Sequence, residues 1–105
     1  MKSEGNIQNA IMVALSEAGC LIFRNNVGAW KDPSGRLIRY GVGGKGGSDL
    51  LGVASDGAFL AVECKTATRR VRPEQTAFID AVRKRGGRAG IARSVEDALK
   101  IAGVG

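Results

Sequence analysis

Ile7, Ile11, Ala14, Leu15 and Ala18 recur at intervals of three and four, behind Ser3 and Glu4 and ahead of Gly19. That spacing predicts a first helix, capped by Ser3, with Glu4 in its favourably charged first turn. Residues 21–25, "LIFRN", predict a strand. The stretch 26–35, around "VGAWKDPSG", is polar and turn-rich and predicts a loop holding the single Trp. "RLIRY" at 36–40 predicts a second strand, and "GVGGKGG" at 41–47 predicts another loop. Two further strands, at 49–54 and 58–65, flank "SDG". A basic connection follows at 66–72. Pro73 then opens a helix with Ala77, Phe78, Ala81 and Val82 on one stripe, ending at Gly86 and Gly87. "RAGIA" predicts a short buried strand, and Ser94 caps a last helix with Val95, Ala98, Leu99 and Ile101 as its apolar side. The order is α-β-β-β-β-α-β-α. No repeat or linker interrupts it, so residues 1–105 are expected to form one α/β domain.

The strand pair around "SDG" carries Asp49, Glu63 and Lys65 among apolar residues. A three-residue loop of Ser55, Asp56 and Gly57 would pair Ala54 with Ala58 and put Asp49 opposite Glu63. Lys65 then shares the face of Glu63, while Leu60, Val62 and Cys64 point the other way. A two-residue Asp-Gly turn would instead pair Asp49 with Cys64 and turn Asp49 to the opposite face. In the first register two carboxylates confront each other and call for a proton or a cation between them. A divalent ion such as magnesium fits that demand. An ordinary ion pair of Lys65 with Glu63 or Asp49 fits the composition equally well.

Charge and chemistry narrow the field. The net charge is +6 with a pI near 9.9, and ten of the sixteen basic residues are arginine. Arg69, Arg70 and Arg72 form one cluster, and Arg83, Lys84, Arg85 and Arg88 form another. Such clusters suit phosphate contacts, against the alternative of a solvated basic face. The chain has no histidine. This excludes Ser/His and Cys/His nucleophile systems and His-ligated zinc, leaving carboxylates, lysine and a bound cation. Cys20 and Cys64 have no metal-ligand spacing and suit a reducing, cytoplasmic setting. No apolar run is long enough to span a bilayer, and no signal peptide is apparent, so no membrane partner is expected.

Gly41, Gly43 and Gly46 formally match a dinucleotide fingerprint, but the residues after them read as a strand rather than a helix. Lys45 is followed by Gly46 rather than Ser or Thr, so a Walker A loop fails as well. A flexible loop bringing backbone close to a ligand is the better reading.

"GGSD", then "ECK", then "RPEQTAF" and "GG…SVEDAL" together resemble the PD-(D/E)xK nuclease superfamily. More closely they resemble its virus-type replication-repair nuclease (VRR-NUC) domain, over nearly the whole chain. The resemblance implies a restriction-endonuclease-like core, a central mixed β-sheet flanked by helices. It implies Asp49 and Glu63 as metal ligands, with the Cys64 backbone carbonyl as a third and Glu4 on the metal side. Lys65 would orient or help deprotonate the attacking water, and Gln75 would sit near the site. Gln8 matches a glutamine of the first helix and competes with Glu4 for its site position. Cys64 departs from the small aliphatic residue usual there, with its side chain expected in the core. Lys45, the Arg69, Arg70 and Arg72 cluster, and Arg83 and Lys84 would hold DNA through its phosphates.

The function so implied is Mg2+- (or Mn2+-) dependent hydrolysis of phosphodiester bonds in branched DNA. Stand-alone members look like homodimeric Holliday junction resolvases, and two symmetric cuts call for two sites. The setting expected is the cytoplasm of a bacterial host, with phage or bacterial origin. A flap or end nuclease, and a non-catalytic nucleic-acid binder of the same fold, are the competing readings, and a nucleotide-binding module is a third. Trp30 and Tyr40 are candidates for partner or DNA contact, against ordinary packing under a loop.

Overall fold

A computed structural model of the chain describes residues 3–104. Helix α1 runs Glu4–Glu17, with the Ser3 hydroxyl accepting from the Asn6 amide at 3.2 Å. Its buried stripe is Ile7, Ile11 and Leu15. Strand β1 (Leu21–Arg24) follows, then β2 (Gly28–Lys31) and β3 (Leu37–Tyr40). A short 3-10 turn at Gly44–Gly46 leads into β4 (Leu50–Val53) and β5 (Phe59–Cys64). Helix α2 (Pro73–Lys84), β6 (Arg88–Ala92) and α3 (Val95–Ile101) complete the order.

The main sheet runs β1-β4-β5-β6, antiparallel except for the parallel β5–β6 pair. It is therefore mixed, and helices cover both faces. On one face Leu50, Leu60, Val62 and Cys64 join the α1 stripe, together with Ala98 of α3 and Ala102 just beyond it. On the other, Leu51, Ala61 and Ala89 meet Ile79 of α2, with Phe78 and Val82 alongside. Alternation along β4 and β5 produces this division, since neighbouring residues point to opposite faces.

The expected element order holds, with one strand more than the sequence reading provided. Residues 28–31, placed in the loop 26–35, are β2 and pair with β3 as a separate two-stranded ribbon. The turn signals that suggested a loop belong to the ribbon's tip. There Asp32 accepts from the Ser34 and Arg36 amides at 3.0 and 2.9 Å. A ribbon lying off the main sheet has no buried face to impose alternation, so its strand was not visible in the pattern.

The β4–β5 register is the one given by the three-residue loop. Leu50 pairs with Val62 and Val53 with Phe59. The Ala54 amide donates to the Ala58 carbonyl at 2.8 Å, and Gly57 closes the turn at φ +93°. One step beyond Leu50 and Val62, Asp49 and Glu63 oppose each other.

Candidate metal and phosphodiester site

Three chain segments deliver the carboxylates. Asp49 enters just before β4, Glu63 lies near the end of β5, and Glu4 begins α1. Carboxylate oxygens of all three lie within 4.8 Å of one another. Glu63 is only 3% exposed and Lys65 only 5%, so these charges are held away from bulk water. The Lys65 ammonium stands 3.8 Å from Glu63 Oε2. One lysine does not balance three carboxylates. Burial, then the Asp49 carboxylate, push the Glu63 carboxyl up to about 8 against the opposing pull of Lys65.

Two of the three carboxylates are each held by a second group. The Cys64 backbone N–H donates to Asp49 Oδ2 at 3.0 Å. Gln75 has two tasks. Its Nε2 donates to Glu63 Oε2 at 3.1 Å, and its Oε1 accepts from the Arg72 amide at 3.0 Å. The second bond satisfies an otherwise free donor at the α2 N-terminus, so the helix start and the Glu63 rotamer are fixed by one side chain. The Cys64 side chain is fully buried in the α1/α3 core. Burial pushes its thiol up to about 12, so it stays neutral there and supplies no thiolate.

Of the two first-helix candidates, Glu4 joins the carboxylate group. Gln8, one turn along, accepts from the Arg24 guanidinium at 2.8 Å. An all-oxygen donor set with uncompensated negative charge fits a hard divalent cation such as Mg2+ or Mn2+. Asp49, Glu63 and Glu4 are the side chains that would hold it.

The carboxylates form the floor of a cleft of roughly 840 Å3 whose walls are basic. Lys45, Arg69, Arg70 and Arg72 line it, as does Arg39 of the ribbon, which the sequence reading did not select. Arg83 and Lys84 are not brought to the cleft. They close α2, and eight residues of helix separate Gln75 from Arg83, about 12 Å along the axis. There the Arg83 Nε donates to the Ala89 carbonyl at 2.8 Å.

The glycine loop, expected to bring backbone close to a ligand, also packs against α2. A Cβ on Gly46 would come within 2.1 Å of the Glu74 carbonyl oxygen, so glycine here admits the backbone of α2. Gly47 and Lys45 still face the cleft.

Two positioning residues escaped the sequence reading. Asn25 ties both ends of the glycine loop, with Nδ2 donating to the Val42 and Ser48 carbonyls at 2.8 and 3.0 Å. Its Oδ1 accepts from the Val42 amide at 3.0 Å, and its backbone N–H donates to the Asp49 carbonyl at 2.8 Å. Arg93 donates to the Thr66 and Arg69 carbonyls and so holds the basic connection. Neither belongs to a spacing motif, because their partners lie 17 or more residues away in sequence. Asn25→Ala removes three side-chain hydrogen bonds and should cost about 2 kcal/mol, read by denaturant unfolding. It should also weaken divalent-ion affinity through Asp49. An unchanged unfolding midpoint would show that the loop holds itself.

The family model of the VRR-NUC domain matches residues 3–96 of this chain. A solved structure described as a VRR_NUC domain superposes with a TM-score of 0.63 at 23% identity, covering 93% of this chain and 91% of that one. No curated protein matches the chain. Among the described residues no helix is long and apolar enough to cross a membrane.

Proposed function

This chain belongs to the VRR-NUC domain family, and from that premise we propose that it is a divalent-metal-dependent endonuclease that hydrolyses phosphodiester bonds in branched DNA. The observation that carries the reading is the convergence of three carboxylates within 4.8 Å, beside a buried lysine. They lie on the floor of a cleft walled by arginines. A bound Mg2+ or Mn2+ would stabilise charge on the phosphate oxygens and lower the pKa of an attacking water.

The protein's own groups have separable tasks. Asp49, Glu63 and Glu4 bind the ion, with the Cys64 carbonyl as a further oxygen donor. The Cys64 amide and Gln75 hold the first two carboxylates in orientation. Lys65 directs its ammonium to the face on which water attacks, where it orients that water and offsets developing negative charge. Arg69, Arg70 and Arg72 grip phosphates along the cleft wall and bring the scissile bond over the floor. Histidine is not required at any step.

We take the substrate to be a four-way junction cut by a homodimer, because one chain has one site and symmetric cleavage needs two. The test is an assay on linear, flap and four-way DNA, with Mg2+, Mn2+ or chelator, alongside sedimentation of the protein. Ion-dependent cleavage of the four-way substrate by a dimer supports the reading. Cleavage confined to flaps or ends reassigns the substrate, and binding without cleavage under all ions makes the chain a nucleic-acid-binding module.

The basic wall gives a further expected result. Neutralising Arg69, Arg70 and Arg72 together should flatten the log–log salt dependence of junction binding by about three units, since each phosphate contact releases counterions. Affinity should fall alike for unrelated sequences of one geometry. The same measurement on an Arg83 and Lys84 double substitution should show little change in slope. Equal slopes for the wild type and the triple variant would make the cluster a solvated face.

A further inference from the structure

The ribbon of β2 and β3 pairs with no strand of the main sheet, yet it borders the cleft. Residues directly opposite in the ribbon share a face, and successive residues alternate. Ala29 opposite Arg39 and Lys31 opposite Leu37 form one face; Ala29 and Arg39 line the cleft, as does Gly28 at the start of β2. Trp30 opposite Ile38, and Tyr40 opposite Gly28, form the other. Trp30 is 54% exposed and Tyr40 51% exposed, so neither is packed beneath a loop. A Cβ on Gly28 would fall 2.4 Å from the Tyr40 hydroxyl oxygen, so the absence of a side chain there lets the ring lie across the ribbon. Trp30 lies two residues along β2 from Gly28, about 7 Å.

An isolated two-stranded ribbon is marginal in water, and two exposed aromatic rings on one face are what a binding partner would cover. Charge selects the partner. The ribbon carries Lys31, Arg36 and Arg39 against one acidic residue, Asp32, which already pairs with Arg36 at 3.3 Å. Its basic face is continuous with the arginine-walled cleft. A polyanion therefore fits, and aromatic rings add stacking platforms for bases regardless of sequence.

Intact duplex lying in the cleft would meet the basic face through its phosphates and would keep its bases stacked inside. The aromatic face, opposite the one that carries Arg39, meets bases only where a strand leaves that duplex. We propose that the β2–β3 ribbon is a two-sided wedge that selects DNA with a branch or unpaired bases next to the scissile phosphate. One face binds the phosphates of the duplex in the cleft. Trp30 and Tyr40 stack on bases exposed at the point of divergence. The proposal rests on the nuclease reading and adds to it the feature of the DNA that is recognised.

Trp30 is the single tryptophan, so its emission reports on the ribbon alone. The full chain in chelator, where no cleavage occurs, is titrated with four-way, flap and blunt duplex DNA. Fluorescence anisotropy of labelled DNA is followed in parallel. Branched DNA is expected to quench Trp30 as it binds, while blunt duplex binds without quenching. Trp30→Ala should weaken branched-DNA binding about 5- to 100-fold, the range for one stacked base. It should leave blunt-duplex affinity within about two-fold. Trp30→Phe should restore most of the loss.

Branched-DNA binding without quenching, or equal loss on branched and blunt DNA, would overturn the wedge and leave the nuclease reading standing. A concentration-dependent blue shift of the protein without DNA would show a second copy covering the ribbon, and would also overturn it. Absence of any DNA binding by anisotropy would sink the nuclease reading itself.

Discussion

Glu63→Gln should reduce DNA cleavage by on the order of 10³-fold or more while raising the melting temperature of the metal-free protein at alkaline pH. The two effects have one cause. Glu63 is nearly fully buried and faces Asp49 and Glu4, with Lys65 opposing them among the described residues. Its carboxyl is raised from an ordinary value of 4.5 to about 8 in the folded chain. The folded state therefore holds the proton more tightly than the unfolded state. The associated stability is fully present below about pH 4.5 and is lost as pH rises through about 8.

Glutamine cannot ionise, and its side-chain oxygen can still accept from Gln75. In chelator, the wild-type protein should lose melting temperature steadily between pH 5 and pH 8, and Glu63→Gln should lose much less. Each kcal/mol of difference corresponds to about 4–8 °C in a domain of this size. Adding Mg2+ should stabilise the wild-type protein more than the variant, because only the wild type presents the full carboxylate set. Melts at three pH values, with and without the ion, measure all of this. A variant less stable than wild type at every pH would show that Glu63 is a structural hydrogen-bonding partner rather than a strained ligand.

Lys65→Ala should lower cleavage by about 10²–10⁴-fold, the usual span for loss of a group acting on the proton or charge of the reacting centre. Junction affinity in chelator should change by no more than about two-fold. Lys65 is buried on the cleft floor rather than on the arginine wall, and its contact in the structure is with Glu63. Removing it takes away a positive charge that lowers the Glu63 carboxyl, so the proton should compete better for that carboxylate. Lys65→Met keeps the aliphatic bulk and should reproduce the loss of cleavage, which separates charge from packing. Single-turnover cleavage at saturating ion, paired with binding by anisotropy, is the measurement. Parallel loss of binding and cleavage would make Lys65 a phosphate-gripping residue instead.

Much of this organisation is legible in local sequence. Ile7, Ile11 and Leu15 announce α1, Pro73 and the Ala77 to Val82 stripe announce α2, and "SDG" specifies a loop length. That loop length sets the parity of two strands, and so puts Asp49 and Glu63 on one face. A hairpin is a local object, and its register follows from a few bonded residues.

Other features depend on contacts that no local pattern encodes. The strand at Gly28–Lys31 pairs outside the main sheet and buries no face, so periodicity carried no sign of it. The choice between Glu4 and Gln8 depended on how α1 crosses the end of the sheet, which delivers the first to the carboxylates and the second to Arg24. Asn25, Arg39 and Arg93 acquire their roles from partners far away in sequence. Arg83 and Lys84 look equivalent to Arg69 and Arg70 by composition, but α2 carries them to its far end.

The chemical repertoire, carboxylates and a lysine on one hairpin face of a chain without histidine, follows from residue type and strand alternation, which are properties of the chain. Which charges share a cleft is a matter of packing. The packing of α1, α2 and the ribbon around the hairpin sets the distances between charges, and electrostatic interaction depends on distance and burial rather than on order along the chain.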